Sequence, residues 1–555
     1  MHKTMAKKIF LAGSDISNYT VVVSKNARDI DKKAVELFIS CVKEITGTEL
    51  SLSDDSRHFE CEIIIGSTER DNDTTRAKIS QLKGDGIFIY FESEKRLFVT
   101  GEGYFGVMNA VCSLLEKFGY RFCDEKTTGI IGDEDIYLDR DLEIFYSPIL
   151  SYRKTDWQLS HDMKLKLGLN GELTEDNAII GFAHTIGRLS ETENSSQPCL
   201  SDEGIYQTVL KNVRNVIAEH PECRIISVTQ NDNFNYCKCE KCSSLAEHEG
   251  QSGVLLNFIN RLAADIEADH PDVNILTFAY QYTRKPPTTI KPRHNVIIWL
   301  CSIECCFSHP LNDGDCKHNK AFAADIVEWG KICNKIIIWD YTTNYAFYVS
   351  PFPNFKTLLP NARFFVEHGA MGIYEEGDYQ QTENGEFRSL RAYLIGKILW
   401  NPYMSYEEYS KHIDDFLLCY YGKGAEYVRE YIDRCCALAE KMHLSIYTRP
   451  EYIFMNDNDE CDLPLLMELD SLWQKAIAAA DTDAHRINCR NSSVQSKYML
   501  ARARALLRGT TDPDENLALI NAMKEAGIIY HFERGDAGRV DRLDANMPIE
   551  SWNAY

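Results

Sequence analysis

Apolar runs that end in acids, amides or large aromatic residues recur along the middle of this sequence. In "KIIIWDYTTNY", residues 335–345, three isoleucines lead directly into Trp339 and Asp340. Comparable runs are "RIISVTQND", "NILTFAYQYT" and "AMGIYEEGDY". Cleavage of a glycosidic bond needs a carboxylic acid to protonate the leaving oxygen, a second polar group near the sugar, and flat rings against the sugar faces. The pattern therefore predicts a sugar-binding pocket at the ends of buried strands.

Four acids at these run ends are candidates for catalysis: Asp232, Glu304, Asp340 and Glu376. Glu304 and Asp340 follow strongly apolar runs, where a carboxylate is unfavourable unless it is paired or functional. Asp232, in "TQNDNFN", could equally be a turn residue. In "YEEGDY" at most one or two acids can point inward, and we favour Glu376 over its acidic neighbours. Acids crowded into such a pocket raise one another's pKa, which keeps a proton donor available near neutrality.

Rings, amides and a histidine at the same run ends are candidates for binding a substrate. They are Trp157, His184, Asn231, Tyr280, Trp339, Asn344 and Tyr374. For His184 the alternative is a satisfied core or loop histidine. Trp339 and Tyr280 could likewise be core residues whose polar edges need only a hydrogen-bond partner.

A tight group of thiols follows one of these runs. "YCKCEKC" contains Cys237, Cys239 and Cys242 in a CxCxxC spacing that can hold zinc with a fourth ligand from elsewhere. That ligand could come from Cys305, Cys306 or His309. The alternatives are a loop with free thiols or a disulfide.

The elements that must position these residues alternate between short strands and helices. From about residue 147 to 404 we count eight β-then-α units, and the near-continuous apolar runs suit parallel strands buried on both faces. We therefore predict an α/β protein with a catalytic (β/α)8 TIM-like barrel, whose functional groups lie at the carboxyl ends of its strands. A doubly wound open sheet is the alternative, because periodicity alone cannot close a barrel. The eight predicted strands lie in "SYRKTDW", "KLGLNG", "IIGFAHT", "RIISVTQND", "NILTFAYQYT", "NVIIWLCSIE", "KIIIWDYTTNY" and "AMGIYEEGDY".

Two further regions flank this barrel. Residues 1–146 predict a small α/β domain, with strands in "YTVVVS", "CEIIIG", "GIFIYFE" and "RLFVTGE" and two amphipathic helices. Residues 405–555 predict a mainly helical domain with an irregular end. In the first region "GEGYFG" matches GxGxxG between a strand and a helix. It is either a dinucleotide loop or a tight turn that lets the helix pack on its sheet.

Composition excludes some partners. The net charge of −23 and the pI near 5.2 make nucleic acid and anionic membrane surfaces poor partners. No apolar run approaches the roughly 20 residues that a membrane span needs. The apolar stretch "IFLAG" near the start is too short for a signal-peptide core. Nineteen scattered cysteines favour a reducing compartment.

Several motifs in order resemble one enzyme family. "SVTQNDNFNYCKCEKC", "LTFAYQYTRKPP", "WLCSIECCFSHPL" and "GIYEEGDYQ…GEFRSLRAYLIGKILWNP" are similar to glycoside hydrolase family 163, bacterial endo-β-N-acetylglucosaminidases that act on complex N-glycans. The region that ends in "GEGYFGVMNAVCSLLEKFGYRF" resembles the α/β domain that precedes the barrel in α-glucuronidases. Those relatives carry an acidic motif where this chain has "QNDN", which argues against removal of simple glucuronic acid and leaves the role of Asp232 open.

The resemblance implies hydrolysis of the chitobiose core of an N-glycan or glycoprotein with retention, through the substrate's own 2-acetamido group. It implies one acid/base carboxyl, one polar group that assists the acetamide, no cofactor for catalysis, and export to the periplasm or cell surface. From their positions at strand ends, we expect Glu304 or Glu376 to be the acid/base and Asp340 or Asp232 to assist the acetamide. The expectation of export conflicts with the cysteine content and the absence of a leader in the sequence. An exo-acting α-glucuronidase or hexosaminidase on the same fold, or a non-catalytic glycan-binding protein, are the alternatives.

Overall fold

A computed structural model of the chain describes residues 6–157, 159–173, 178–193, 195–380 and 384–553. Its described helices include none that is long and apolar enough to cross a membrane. All 19 cysteines lie in the described ranges, and all are free thiols.

The N-terminal region is built on a mixed sheet whose described strands run in the order β11-β6-β7-β5-β3-β4. The predicted strands are present as β3, β5, β6 and β7, and the two predicted helices as α1 and α3. α1 ends at Gly47, which adopts the left-handed conformation. The elements of this region are β1 (Ile9–Leu11), β2 (Ser14–Asp15), β3 (Thr20–Val23), α1 (Asp29–Thr46), β4 (Ser51–Asp54), β5 (Glu62–Ile65), α2 (Asp73–Ile79), β6 (Ile87–Ser93), β7 (Arg96–Gly101), α3 (Gly106–Lys117), β8 (Tyr120–Phe122), β9 (Thr128–Ile130), β10 (Ile136–Leu138) and β11 (Glu143–Tyr146).

The "GEGYFG" turn brings two glycines into direct contact. A Cβ on Gly101 would lie 2.4 Å from the carbonyl carbon of Gly106, and a Cβ on Gly106 would lie 2.8 Å from that of Gly101. The glycines are thus required for α3 to pack against the end of β7. This packing accounts for the motif as the tight turn that was one of its two interpretations.

The central region contains a curled parallel sheet, which in the described residues has seven strands. Their order is β12-β18-β17-β16-β15-β14-β13. β12, the first of these strands in the sequence, thus pairs with β18, the last, and β13 to β18 lie side by side in sequence order. β16 and β17 are buried at every position, as predicted for strands covered on both faces. The elements are β12 (Tyr152–Thr155), α4 (His161–Lys166), β13 (Ile179–Ile180), α5 (Ile186–Leu189), α6 (Glu203–Glu219), β14 (Ile225–Ser227), α7 (Glu240–Asp269), β15 (Asn274–Ala279), β16 (Val296–Cys301), α8 (Lys317–Ile332), β17 (Ile336–Tyr341), α9 (Phe355–Glu367), β18 (Ala370–Glu376) and α10 (Arg388–Trp400).

The predicted second strand, "KLGLNG", is not a strand. Ser160 caps the N-terminus of α4 by accepting a hydrogen bond from the Met163 amide, and the chain turns at Gly168 with φ +71°. The left-handed conformation of Gly168 interrupts the extended backbone that a strand would need in this segment. Within the described residues the sheet has seven strands and β12 and β13 do not pair, so it forms a curled half-barrel that is consistent with the predicted TIM-like barrel, and closure of the barrel stays a prediction.

The C-terminal region is helical, as predicted, and its core is continuous with that of the central region. Its irregular end returns to the sheet: the Tyr348 amide donates to the His531 carbonyl at 2.9 Å, and the Glu533 amide donates to the Tyr345 carbonyl at 2.8 Å. These bonds place residues 531–535 beside the loop that follows β17. The helices are α11 (Tyr406–Tyr421), α12 (Ala425–Ala439), α13 (Leu463–Ala479), α14 (Asp483–Ser492), α15 (Val494–Arg508) and α16 (Pro513–Glu525).

Candidate functional site

A cavity of about 400 Å³ lies at the carboxyl ends of the central strands. Strands and loops of the central region supply most of its wall, and two segments of the C-terminal region, at residues 446–447 and 533–535, complete it. Three acids line it, together with several tyrosines. The acids are Asp232, Glu376 and Glu533.

Glu376 is the most deeply placed of these acids. It ends β18, directly opposite Tyr341 of β17, and its Oε2 accepts a 2.7 Å hydrogen bond from the indole Nε1 of Trp339. Burial raises the pKa of Glu376 well above the ordinary value, and the charges of Asp156 and Glu533 add to the rise. The Trp339 hydrogen bond opposes this rise because it favours the ionised form. Glu376 is therefore a carboxylic acid that keeps its proton at a pH where an exposed glutamate would have lost it.

A layer of aromatic rings forms the interior of the half-barrel at this end. The rings of Trp299 and Trp339 have centroids 4.7 Å apart, and those of Trp339 and Tyr374 are 4.9 Å apart. Phe182 and Phe278 pack against the same tryptophans. Because side chains two apart on a strand share a face, this layer also orients Tyr341 and Glu376 inward. Trp339 reaches the cavity wall, whereas Trp299 and Tyr374 lie outside its lining.

Asp232 also lines the cavity and is held there by Tyr280. The Tyr280 hydroxyl donates to Asp232 Oδ1 at 3.0 Å and accepts from Gln281 Nε2 at 2.8 Å. Burial and the Asp232 charge raise the pKa of Tyr280, so that it stays a donor. His184 lines the same part of the cavity, and its Nδ1 lies 2.8 Å from the Gln230 carbonyl. Since a carbonyl only accepts, Nδ1 carries the hydrogen in the neutral ring, and Nε2 is left to accept one.

Asp340 lies on the other face of the sheet. It pairs in register with Glu375, accepts a hydrogen bond from the Ser302 hydroxyl, and does not line the cavity. Burial raises the pKa of Asp340 to about 6, and burial together with the Asp340 charge raises that of Glu375 well above its ordinary value. These two acids thus form a buried pair behind the strands.

Glu304 lies at the surface. Its side chain is 42% exposed and pairs with Arg284 Nη1 at 3.0 Å, while Arg284 Nε binds Asp325 at 2.8 Å. The residue before it, Ile303, lines the cavity instead. Of the four predicted catalytic acids, the structure therefore brings Asp232 and Glu376 together and places Glu304 and Asp340 elsewhere.

The two predicted asparagines hold loops rather than line the cavity. Asn231 Oδ1 accepts from the Gly187 amide at 3.2 Å, and its Nδ2 donates to the Ser196 carbonyl at 2.7 Å. Asn344 Nδ2 donates to the Thr448 carbonyl at 2.7 Å. The Asn344 bond fixes the segment that carries Tyr447 into the cavity wall.

Trp157 and Tyr374 support the site from below. Trp157 is fully buried, and its Nε1 donates to the Thr342 hydroxyl at 2.8 Å. The Tyr374 hydroxyl donates to Asp156 Oδ2 at 2.5 Å. Burial raises the pKa of Asp156 to about 6, and its charge is one of the causes that raise the pKa of Glu376.

Sequence reasoning missed several lining residues, of which Glu533 is the most informative. Its Oε1 accepts from the Tyr379 hydroxyl at 2.8 Å, and its pKa is raised by burial and by the charge of Asp232. Glu533 lies after the last helix, in a segment without strand or helix periodicity. No local pattern marks it, because its place depends on backbone bonds to the loop after β17.

The thiols of "YCKCEKC" gather with a further cysteine that was not predicted, in what is here called the four-cysteine cluster. Cys199 Sγ lies 3.8 Å from both Cys239 Sγ and Cys242 Sγ, and the sulfurs of all four residues, Cys237 included, lie within 4.8 Å of one another. Tetrahedral zinc with four Zn–S bonds of about 2.3 Å separates its sulfurs by about 3.8 Å, so the four-cysteine cluster fits the ion.

The residues expected to supply the fourth ligand to this cluster lie elsewhere. Cys306 and His309 belong to another group of thiols and imidazoles. Cys305 is buried apart from both groups. The expected partners are therefore corrected to Cys199, from the segment that precedes α6.

Comparison with known proteins supports the fold. The sequence model of a family described as a domain of unknown function (DUF4838) matches residues 182–433. No curated protein sequence matches the chain significantly. A family GH115 4-O-methyl-α-glucuronidase with specificity for decorated arabinogalactans superposes with a TM-score of 0.58 at 12% identity, over 97% of this chain and 80% of that one. A family 89 glycoside hydrolase from Clostridium perfringens superposes with a TM-score of 0.50 at 8% identity, over 90% of this chain and 66% of that one. The chain thus shares the fold of these glycoside hydrolases.

Proposed function

We propose that this protein is a glycoside hydrolase whose general acid is Glu376. The observation that carries the proposal is the Glu376 carboxyl, buried at the wall of a tyrosine-rich cavity, with a raised pKa and a fixed orientation from the Trp339 hydrogen bond. A protonated carboxyl in such a place can give its proton to a leaving glycosidic oxygen. The fold shared with glycoside hydrolases adds support.

We further propose an endo-β-N-acetylglucosaminidase that cleaves the chitobiose core of complex N-glycans. The similarity of the strand-end motifs to glycoside hydrolase family 163 supports this substrate. With Glu376 protonated, Asp232 and Glu533 are the remaining acids at the cavity, and they outnumber Arg534, the arginine among its described lining residues. A glucuronate carboxylate would meet net repulsion there, whereas a neutral N-acetylglucosamine would not.

In this mechanism Glu376 protonates the leaving oxygen as the C1–O bond breaks. The carbonyl oxygen of the substrate's 2-acetamido group attacks C1 and forms an oxazolinium intermediate. Asp232, held by Tyr280, accepts the acetamide N–H and balances the positive charge. The Glu376 carboxylate then takes a proton from the water that reopens the ring at C1, which restores both the acid and the original anomeric configuration.

An exo-acting hexosaminidase is the second candidate. The segments at residues 446–447 and 533–535 wall the cavity from the C-terminal side, as a pocket for one terminal sugar would require. The two candidates differ in their products: an endo enzyme releases an oligosaccharide with one reducing-end GlcNAc, and an exo enzyme releases a monosaccharide.

The test incubates the full chain with a complex N-glycoprotein and analyses the released sugars by mass spectrometry. We expect an oligosaccharide ending in one GlcNAc and a single GlcNAc left on the protein. Release of monosaccharides alone would favour the exo candidate. Glu376→Gln should slow release by about 10²- to 10⁴-fold. Glu328→Gln, on the exposed face of α8, is the matched control. Glycan binding without any turnover by the wild type would point to a non-catalytic binding protein.

We also propose that the four-cysteine cluster binds a structural zinc ion. Its sulfur spacing matches tetrahedral coordination, and it ties the N-terminus of α7 to the segment before α6. Metal analysis of Cys239→Ser beside the wild type tests this proposal. An unchanged zinc content would contradict it.

A further inference from the structure

A second group of thiols and imidazoles lies outside the cavity lining and apart from the four-cysteine cluster. It consists of Cys306, His309, Cys316 and His443, here called the cysteine–histidine cluster. The first two follow β16, the third directly precedes α8, and the fourth follows α12. The connection between β16 and α8 and the segment after α12, more than 120 residues apart in the sequence, therefore converge on one point.

The spacing of the cysteine–histidine cluster suits a tetrahedral metal ion. Cys306 Sγ lies 3.2 Å from His309 Nδ1, and Cys316 Sγ lies 3.6 Å from His443 Nδ1. All four ligand atoms lie within 4.8 Å of one another. With Zn–S of about 2.3 Å and Zn–N of about 2.0 Å, tetrahedral zinc places sulfur and nitrogen about 3.5 Å apart. Two thiolates also neutralise the double charge of the ion, and mixed sulfur and imidazole ligation favours zinc over magnesium or calcium.

The surroundings of the cysteine–histidine cluster are also those of a metal site. His309 directs its other ring nitrogen, Nε2, to the Glu440 carbonyl at 3.0 Å, the partner that commonly fixes a ligating imidazole. Asn319 is fully buried and accepts from the Cys306 amide at 2.7 Å while donating to the His309 carbonyl at 2.9 Å. These bonds hold two of the ligands in place before any ion binds.

We propose that the cysteine–histidine cluster binds a zinc ion that fixes residues 440–449 against the half-barrel. The Phe307 amide already donates to the Leu444 carbonyl at 2.8 Å, and the Tyr345 amide donates to the Ile446 carbonyl at 2.9 Å. Ile446 and Tyr447 of this segment line the cavity. The ion would thus tie the helical region to the strand ends at the place where both contribute to the cavity.

The test measures zinc per chain by mass spectrometry of the metal, on the full chain purified under reducing conditions and titrated with zinc chloride. Cys239→Ser is the background, since it removes the four-cysteine cluster from the count. We expect this variant to retain one zinc per chain, and we expect added His443→Ala to reduce it to none. His318→Ala is the matched control, because the His318 ring packs against that of His443 with centroids 4.3 Å apart but lies outside the cysteine–histidine cluster.

Two further measurements distinguish loss of a zinc ligand from unfolding of the chain. His443→Cys should restore the zinc that His443→Ala loses, because a thiolate can replace the imidazole. Circular dichroism of each variant reports whether the chain is folded. An absence of zinc from the Cys239→Ser background, equal zinc in His443→Ala, or a Cys306–Cys316 disulfide under these conditions would overturn the proposal. The readout contains no glycan, so failure of the proposed activity leaves this result intact.

Discussion

The indole Nε1 of Trp339 donates a 2.7 Å hydrogen bond to Oε2 of Glu376, across the neighbouring strands β17 and β18. The bond stabilises the ionised form of Glu376, while burial and the nearby charges of Asp156 and Glu533 stabilise the protonated form. Burial is the largest of these effects, so the carboxyl stays protonated. The pKa of the proposed proton donor therefore depends on opposing effects, and single substitutions can raise it or lower it.

Glu376→Gln should lower the rate of glycan release by about 10²- to 10⁴-fold, the contribution typical of general acid catalysis. Glutamine has nearly the same shape and can still accept the Trp339 hydrogen bond, so the melting temperature should change little. Single-turnover kinetics beside Glu328→Gln measure the effect. Full activity in Glu376→Gln would remove Glu376 from the mechanism.

Trp339→Phe should raise the pKa of Glu376 further, because it removes a hydrogen bond that lowers it. A general acid works in its protonated form, so the alkaline limb of the kcat/KM profile should move to higher pH. Trp400→Phe, at the end of α10 and away from the cavity, serves as the control. A shift to lower pH would contradict the assignment.

Glu533→Gln should move the same limb in the opposite direction. The Glu533 charge is one of the causes that raise the pKa of Glu376, so its removal should lower that pKa and shift the alkaline limb to lower pH. The substitution keeps an oxygen that can accept the Tyr379 hydrogen bond. The measurement compares the kcat/KM profiles of the Glu533 and Trp339 variants against pH. If the alkaline limbs of both profiles move in the same direction, the two residues do not act on the pKa of a single acid as proposed.

Asp340→Asn should flatten the dependence of stability on pH without loss of activity. The folded-state pKa of Asp340 is raised to about 6, so the folded state binds more protons than the unfolded state between its ordinary pKa of 3.8 and about 6. The free energy of unfolding therefore falls as pH rises through that window. For a pKa difference of two units, the fall is about 3 kcal/mol at most. Urea unfolding at pH 4.5 and 7.5 should show a smaller difference for the variant. If Asp340→Asn slows glycan release as much as Glu376→Gln does, Asp340 takes part in the mechanism.

Strand position and strand face were predictable to different degrees. Most of the apolar runs of the central region form strands, and the preference for Glu376 over its neighbours matches the face that the structure gives it. Trp339 and Asp340 could not both face the cavity, because adjacent strand residues point to opposite sides. Both were nevertheless predicted to be site residues, and the period of two could have separated Asp340 from Trp339 in the sequence itself.

The sequence by itself determined the α/β pattern, the parallel strand runs, the acid at the end of β18 and the thiol group at residues 237–242, since each depends on neighbours a few residues apart. Only the tertiary structure decided that Glu533 joins Glu376, that Cys199 completes the four-cysteine cluster, and that the sheet stops at seven described strands. These features depend on contacts between segments tens to hundreds of residues apart. Such contacts form through packing of whole elements and leave no periodic trace in the local sequence.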